Sequence, residues 1–197
     1  RDRCGDRVGS QDQVCAAFGG LNRIRFAPDD DVVVEPVPLP AERMKEFQDS
    51  LLLFFTGFSR YSSEVVAEQL QNVPQKGKEL SAMAAMVDEG HRILTADRDL
   101  GDFGRLLHES WLLKRSLSSR VSTPEIDAMY ATARKAGALG GKITGAGGGG
   151  FLLLYVEPDR QAAVRKALAN LLHVPFDLDH AGTQIIFSNP IPLESAP

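Results

Sequence analysis

The chain is poor in cysteine. Cys4 and Cys15 are the two it has in 197 residues, too few for a disulfide scaffold or a thiolate zinc site. A reducing, cytoplasmic compartment is the expectation that follows. Long apolar runs are missing too: residues 51–55 and 151–156 are the longest, far short of the ~20 residues that a membrane-spanning helix needs. Nor is there an excess of basic residues, with 22 Lys and Arg against 26 Asp and Glu, so no cationic face invites nucleic acid or an anionic lipid surface. His91, His108, His173 and His180 have no metal-ligand spacing and read as structural or surface residues. The opening Arg1-Asp2-Arg3-Cys4-Gly5 has neither an initiator Met nor a charged-then-apolar leader pattern, and reads as though cut from a longer polypeptide.

What the chain does have is glycine, concentrated in one place. Seven of the eleven residues 140–150, Gly-Gly-Lys-Ile-Thr-Gly-Ala-Gly-Gly-Gly-Gly, are glycine, and the apolar run Phe151-Leu152-Leu153-Leu154-Tyr155-Val156 follows directly. So much glycine loses the most entropy on ordering, which is tolerable where bare backbone must come close to something. Successive unhindered N–H groups form an anion-binding nest, and phosphate is the obvious anion. A flexible linker fits poorly, because linkers run into polar sequence. A loop that only turns a corner stays open as an alternative.

The rest reads in chain order. Residues 9–20 form a short helix with Ser10 or Asp12 as cap and Gly19-Gly20 as its stop. Residues 21–26 alternate as a half-buried strand, Pro28-Asp29-Asp30-Asp31 turns the chain, and 32–37 is a second strand. Pro36-Val37-Pro38-Leu39-Pro40 is the best domain boundary, giving 1–38 as the end of one domain and 39–197 as another. Residues 41–48 read as a helix and 51–55 as a buried strand closed by Thr56-Gly57. Helices follow, one starting near Ser63, one carrying Leu80, Met83, Val87 and Leu94 on one face, and one capped by Asp102 with Phe103, Leu106 and Leu107 inward. Ser122-Thr123-Pro124-Glu125 has capping-box spacing and starts the next, which ends at Gly137. After strand 151–156 and a helix opened by Pro158, residues 174–179 and 183–187 read as a closing strand pair. Trp111 reads as core. The plan is an α+β sheet with helices on one face.

Asp12 is the first candidate for chemistry. A carboxylate at a helix start is kept ionised by the positive end of the dipole, as suits a group that accepts or orients a hydroxyl proton; a plain cap is the other reading of the same position. Gln11 and Gln13 beside it can hydrogen-bond a polyol. Arg60, Lys114 and Arg115 are candidates for a phosphate. Of these, Lys114 and Arg115 fit a solvated helix face better.

Two patterns belong together: Gly-x-Gln-Asp-Gln with Ala-Ala-Phe-Gly-Gly at 9–20, and Gly-Gly-Lys-Ile-Thr-Gly-Ala-Gly-Gly-Gly-Gly-Phe at 140–151. Their pairing resembles the GHMP small-molecule kinases, most closely the bacterial heptose-phosphate kinases, with fucokinase-type and galactokinase domains behind. Phe-Thr-Gly-x-Ser-Arg-x-Ser-Ser at 55–63 is similar to heptose kinases as well. The resemblance implies a ferredoxin-like C-terminal domain, preceded by the trailing helix and hairpin of the N-terminal domain. It implies phosphotransfer from ATP with Mg2+ to a sugar or sugar phosphate, a heptose phosphate first. Asp12 matches the catalytic aspartate; Gln11, Gln13 and Arg60 would bind the sugar. Lys142, Gly145, Ala146, Gly147, Gly148, Gly149 and Gly150 would lie by the phosphates.

The sequence departs from that family at one point. The earlier Pro-x-x-Ser-Gly-Leu-Gly-Ser-Ser motif, which wraps the ATP phosphates, is not in these 197 residues, nor is the upstream acidic metal ligand. The expectation is a C-terminal portion that does not turn over ATP by itself, holds no metal ligand of its own, and pairs with its other half or with a second copy. A catalytically inactive sugar- or nucleotide-binding relative is a second reading, and a ferredoxin-like interaction module a third.

Overall fold

In the computed structural model, residues 9–29, 31–58 and 62–187 are described. Helix α1 (Gln11–Phe18) leads into a hairpin of β1 (Asn22–Phe26) and β2 (Val32–Pro36); then come α2 (Ala41–Asp49), β3 (Leu51–Phe55), α3 (Ser62–Asn72), α4 (Gly77–Thr95), α5 (Gly101–Ser116), α6 (Pro124–Ala136), β4 (Gly140–Ile143), β5 (Phe151–Tyr155), α7 (Gln161–Ala167) and β6 (Leu172–His173). The hairpin is a sheet of its own, and the other four strands form an antiparallel sheet in the order β4-β5-β3-β6.

The sheet's register follows from where its apolar side chains can hide. Leu52 stands opposite Leu154, and Phe54 opposite Leu152, which is also opposite Ile143. Strand side chains alternate between faces, so these five share one face and are buried there against Val65 of α3, Trp111 of α5, Ile126, Tyr130 and Ala133 of α6, and Val164 of α7. The antiparallel α+β sheet is as expected, but helices cover both of its faces rather than one. At the Leu51/Tyr155 end, the opposite face adds a smaller cluster with Phe47 of α2, Leu94 of α4, Leu100 and Phe103. Phe47 and Phe103 meet edge to face at 5.0 Å there.

Helix α6 shows the local logic most plainly. Thr123 is extended and its hydroxyl accepts from the Ile126 N–H, Pro124 takes the first turn, and Gly137 closes the helix at φ +117°. The cap is Thr123, one residue after the Ser122 of the capping-box pattern; Ser122 instead donates to Asp127. Helix α5 corrects a second cap. Asp99 accepts from the Gly101 N–H, while Asp102 sits inside the first turn and pairs with Arg98 and Arg105. Ser10 precedes α1 in a helical conformation, φ −91° and ψ −3°, and its side chain makes no capping bond, since capping needs extended geometry at that residue.

Two further expectations change. Residues 140–143 are not loop but strand β4, paired with β5. Gly140 is there because α5 lies directly on the strand: a Cβ would stand 1.9 Å from the Gly104 carbonyl oxygen and 2.7 Å from the His108 nitrogen. The closing strand pair is reduced to Leu172–His173, followed by one more ladder bond from the Val174 N–H to Leu53. Pro175 has no N–H to continue it, and Asp179 turns the chain by accepting from the N–H groups of Ala181 and Gly182. That turn docks on the end of α1: Gly20 donates to the Asp179 carbonyl, Thr183 N–H to Ala17, and the Thr183 hydroxyl to Ala16. These bonds matter because α1 buries none of its residues.

Candidate active site: a cleft between α1, α3, α5 and the glycine loop

Asp12 in the first turn of α1, Gln69 of α3, Met83 of α4, Lys114 of α5, Lys142 of β4 and Gly145-Ala146 at the loop entry line one cleft of about 370 Å³. Gln11 and Gln13 line it too. Thus residues more than 130 positions apart in sequence share one hollow. Asp12 is exposed at the mouth. Arg60 lies outside the described residues.

The loop has two halves with different surroundings. At the entry, the Gly145 carbonyl accepts from the Lys114 ammonium and the Ala146 carbonyl from Gln69, at 3.5 Å. At the exit, the Gly148 N–H donates to Val121 (2.9 Å) and the Gly150 N–H to Phe58 (2.8 Å). The Gly150 carbonyl in turn accepts from both the N–H and the hydroxyl of the buried Thr56. Gly147, Gly148, Gly149 and Gly150 do not line the cleft. The bare backbone at the exit lets the loop pack: a Cβ on Gly147, at φ +112°, would meet the Val121 carbonyl at 2.7 Å.

Lys114 is the residue that the sequence reading undervalued. It stands one turn after the fully buried Trp111, and that spacing keeps it near the packed face of α5 rather than on a solvated one. Its pKa falls to about 8, chiefly because burial penalises the charge and secondly because Lys142 is near, with Asp12 acting the other way. Burial lowers the pKa of Lys142 as well, again opposed by Asp12. Arg115, by contrast, is paired with Asp127 at 2.5 Å. His108 is half-buried and bonded to the Tyr130 hydroxyl at 2.7 Å. Burial lowers its pKa and pushes that of Tyr130 up to about 12, as befits structural groups.

Among the described residues, no group of three or more His, Cys, Asp or Glu could hold a metal ion, and no helix is long and apolar enough to cross a membrane. Asp12 is the single carboxylate among the described residues that line the cleft. A second hollow of about 260 Å³ lies between α4, α5 and β1; it is mostly apolar, with Leu94, Phe103, Leu106 and Leu107 in its walls, and shares Met83 with the cleft.

Residues 82–174 match the family model described as GHMP kinases C terminal. The D-glycero-alpha-D-manno-heptose 7-phosphate kinase of Campylobacter jejuni is 31% identical over 170 residues, covering 85% of this chain and 50% of that protein. The galactokinase of Thermococcus kodakarensis is 27% identical, over 83% of this chain and 52% of its own length. Among solved structures, a D-glycero-D-manno-heptose 1-phosphate kinase from Bacteroides thetaiotaomicron superposes with a TM-score of 0.64 at 29% identity, covering 95% of this chain and 52% of that one. The mevalonate kinase of L. major, at 24% identity and the same TM-score of 0.64, shares the fold. The chain spans about half the length of these relatives. Sequence and structure agree that this chain carries, over residues 82–174, the C-terminal domain of the GHMP kinases.

Proposed function

We propose that the chain is the C-terminal portion of an ATP-dependent sugar kinase, acting on a hydroxyl of a heptose phosphate, with residues 1–38 belonging to the preceding domain and 39–197 to the C-terminal one. One observation carries this reading: Asp12 and the loop entry Gly145-Ala146 open onto the same cleft. Phosphoryl transfer asks the protein for positioning and charge stabilisation rather than covalent help, and the cleft offers one part of each. Asp12, in the first turn of α1, accepts the proton of the attacking hydroxyl. Gln11 and Gln13, one on each side of it, hold neighbouring hydroxyls. Lys142 and the backbone at Gly145 and Ala146 face the phosphate being transferred. ATP supplies that phosphate when bound.

The family's first phosphate-wrapping motif is not among these residues, so the 197-residue chain alone is expected to give no turnover with ATP and a panel of sugar phosphates. Joined to the N-terminal half of the Campylobacter jejuni heptose kinase, it is expected to transfer phosphate, and Asp12→Asn should lower kcat by about a thousandfold. Turnover unaffected by Asp12→Asn would remove Asp12 from catalysis. Preference for an unphosphorylated hexose in that panel would favour the galactokinase or fucokinase alternative, and binding without transfer an inactive relative.

A further inference from the structure

Several cations among the described residues are matched with carboxylates on the surface. Arg23 pairs with Asp88 and Glu35, Arg98 with Glu89 and Asp102, Arg105 with Asp99 and Asp102, and Arg115 with Asp127. Lys114 and Lys142 are different. They come from separate elements, α5 and β4, to line one cleft, and among the described residues neither has a carboxylate within 4.0 Å. Among the described residues, Asp12 is the one acidic group lining the same hollow, so two half-buried ammonium groups face a single described carboxylate. Burial disfavours the charged state and a neighbouring like charge adds to it; the low pKa of Lys114 reflects burial first and Lys142 second. An arrangement of this kind is relieved by a ligand that brings negative charge.

We propose that Lys114 and Lys142 form a seat for a phosphoryl group carried by the ligand of the cleft, and that Lys114 couples this seat to the glycine loop through the Gly145 carbonyl. The assignment rests on the kinase reading only for the identity of the ligand. A phosphoryl group carries close to two negative charges and three acceptor oxygens. Two ammonium groups, each with three donors, match that demand. One donor of Lys114 is already spent on Gly145, so the same side chain holds the loop entry in place while its other donors take the anion. Lys114 is therefore a positioning residue as well as a ligand contact. The phosphoryl group can be the sugar's own or one of the nucleotide's; the seat's chemistry is the same for both.

Sulfate is the probe, since its charge stays constant through the neutral and mildly alkaline range. In the 197-residue chain, followed by nitrogen-15 NMR, sulfate is expected to shift the amides of Gly145 and Ala146. Lys114→Met and Lys142→Met should each weaken its binding about tenfold, while Lys166→Met, which makes the same change in net charge on exposed α7, should leave it unchanged. In the free protein, Lys114→Met should move the Gly145 amide and Lys142→Met should not, because only Lys114 holds that carbonyl. Affinity should fall as the pH rises through about 8, where Lys114, faced by Lys142 and Asp12, loses its proton. A heptose 7-phosphate that displaces sulfate, where the unphosphorylated heptose does not, identifies the sugar's phosphate as the occupant; displacement by ADP identifies the nucleotide's. Displacement by neither would mean an adventitious ion only and overturn the seat. Equal weakening by Lys166→Met, or unmoved Gly145 and Ala146 amides, would overturn it too. None of these readouts needs turnover, so a chain that passes them yet shows no Asp12-dependent transfer keeps the seat and loses the kinase reading.

Discussion

The two ends of the glycine loop are made of the same residue and do different work. At the entry, Gly145 is exposed, a Cβ there would meet nothing within 4 Å, and its carbonyl faces the cleft lysine. From Gly147 to the exit, the backbone is threaded between Val121, Phe58 and Thr56; at Gly147 a side chain would collide with the Val121 main chain, and at Gly150, where a Cβ would meet nothing within 4 Å, the positive φ of +91° is what favours glycine. A run that suggests one long phosphate cradle is thus a short ligand-facing rim on a longer structural anchor. Glycine content alone does not tell the two apart, because both uses require the absence of a Cβ.

Substitutions to alanine should separate the two uses. The largest effect is expected at Gly140, where the added methyl meets the α5 backbone at 1.9 Å; the loss should be on the order of 3 kcal/mol, read from the urea midpoint. Gly147→Ala comes next, combining φ +112° with a 2.7 Å approach to Val121, at about 2 kcal/mol. Thr56→Val, which removes a buried donor to the Gly150 and Phe58 carbonyls, should cost about 1 kcal/mol and leave sulfate affinity alone. Gly145→Ala, at φ +68° in open space, should cost no more than about 1 kcal/mol yet weaken sulfate binding. If Gly145→Ala and Gly147→Ala changed stability and binding in the same proportion, the division of the loop would fail.

The pH dependence of stability probes the entry side alone. The folded chain holds Lys114 near pKa 8, below its unfolded value, so between those values the unfolded chain binds the extra proton. Stability should therefore rise as the pH climbs from about 8 towards the ordinary lysine range, and Lys114→Met should flatten that rise in a series of urea titrations.

How much of this was legible in the sequence depends on how local the cause is. The ends of α6 were visible to within one residue, because Thr123, Pro124 and Gly137 act within a single turn. Strands β3 and β5 were visible as apolar runs. Strand β4 was hidden because Gly140 answers to α5, more than 30 residues earlier in the chain, and Gly141 to the backbone of β5. The strands expected at 174–179 and 183–187 had the right composition, but Pro175 and the Asp179 turn took the backbone elsewhere. In the site, Asp12, Lys142 and the loop entry were found from motif and charge, and the structure brings them to one cleft. Lys114 was a phosphate candidate read in favour of a solvated face, because a helical Lys-Arg pair looks solvated until Trp111 fixes which way the helix faces. The Gly148 and Gly150 amides were counted towards the phosphate, and their partners lie across the fold at Val121 and Phe58.

The docking of the Asp179 turn on the end of α1 also sets an order of events. Helix α1 buries none of its residues and takes backbone partners from the turn around Asp179 and Thr183, more than 150 positions later in the chain. Contacts of such separation close late in folding. The aspartate that gives the cleft its negative charge therefore comes into register last, and a chain interrupted before residue 179 would carry Asp12 on an untethered helix.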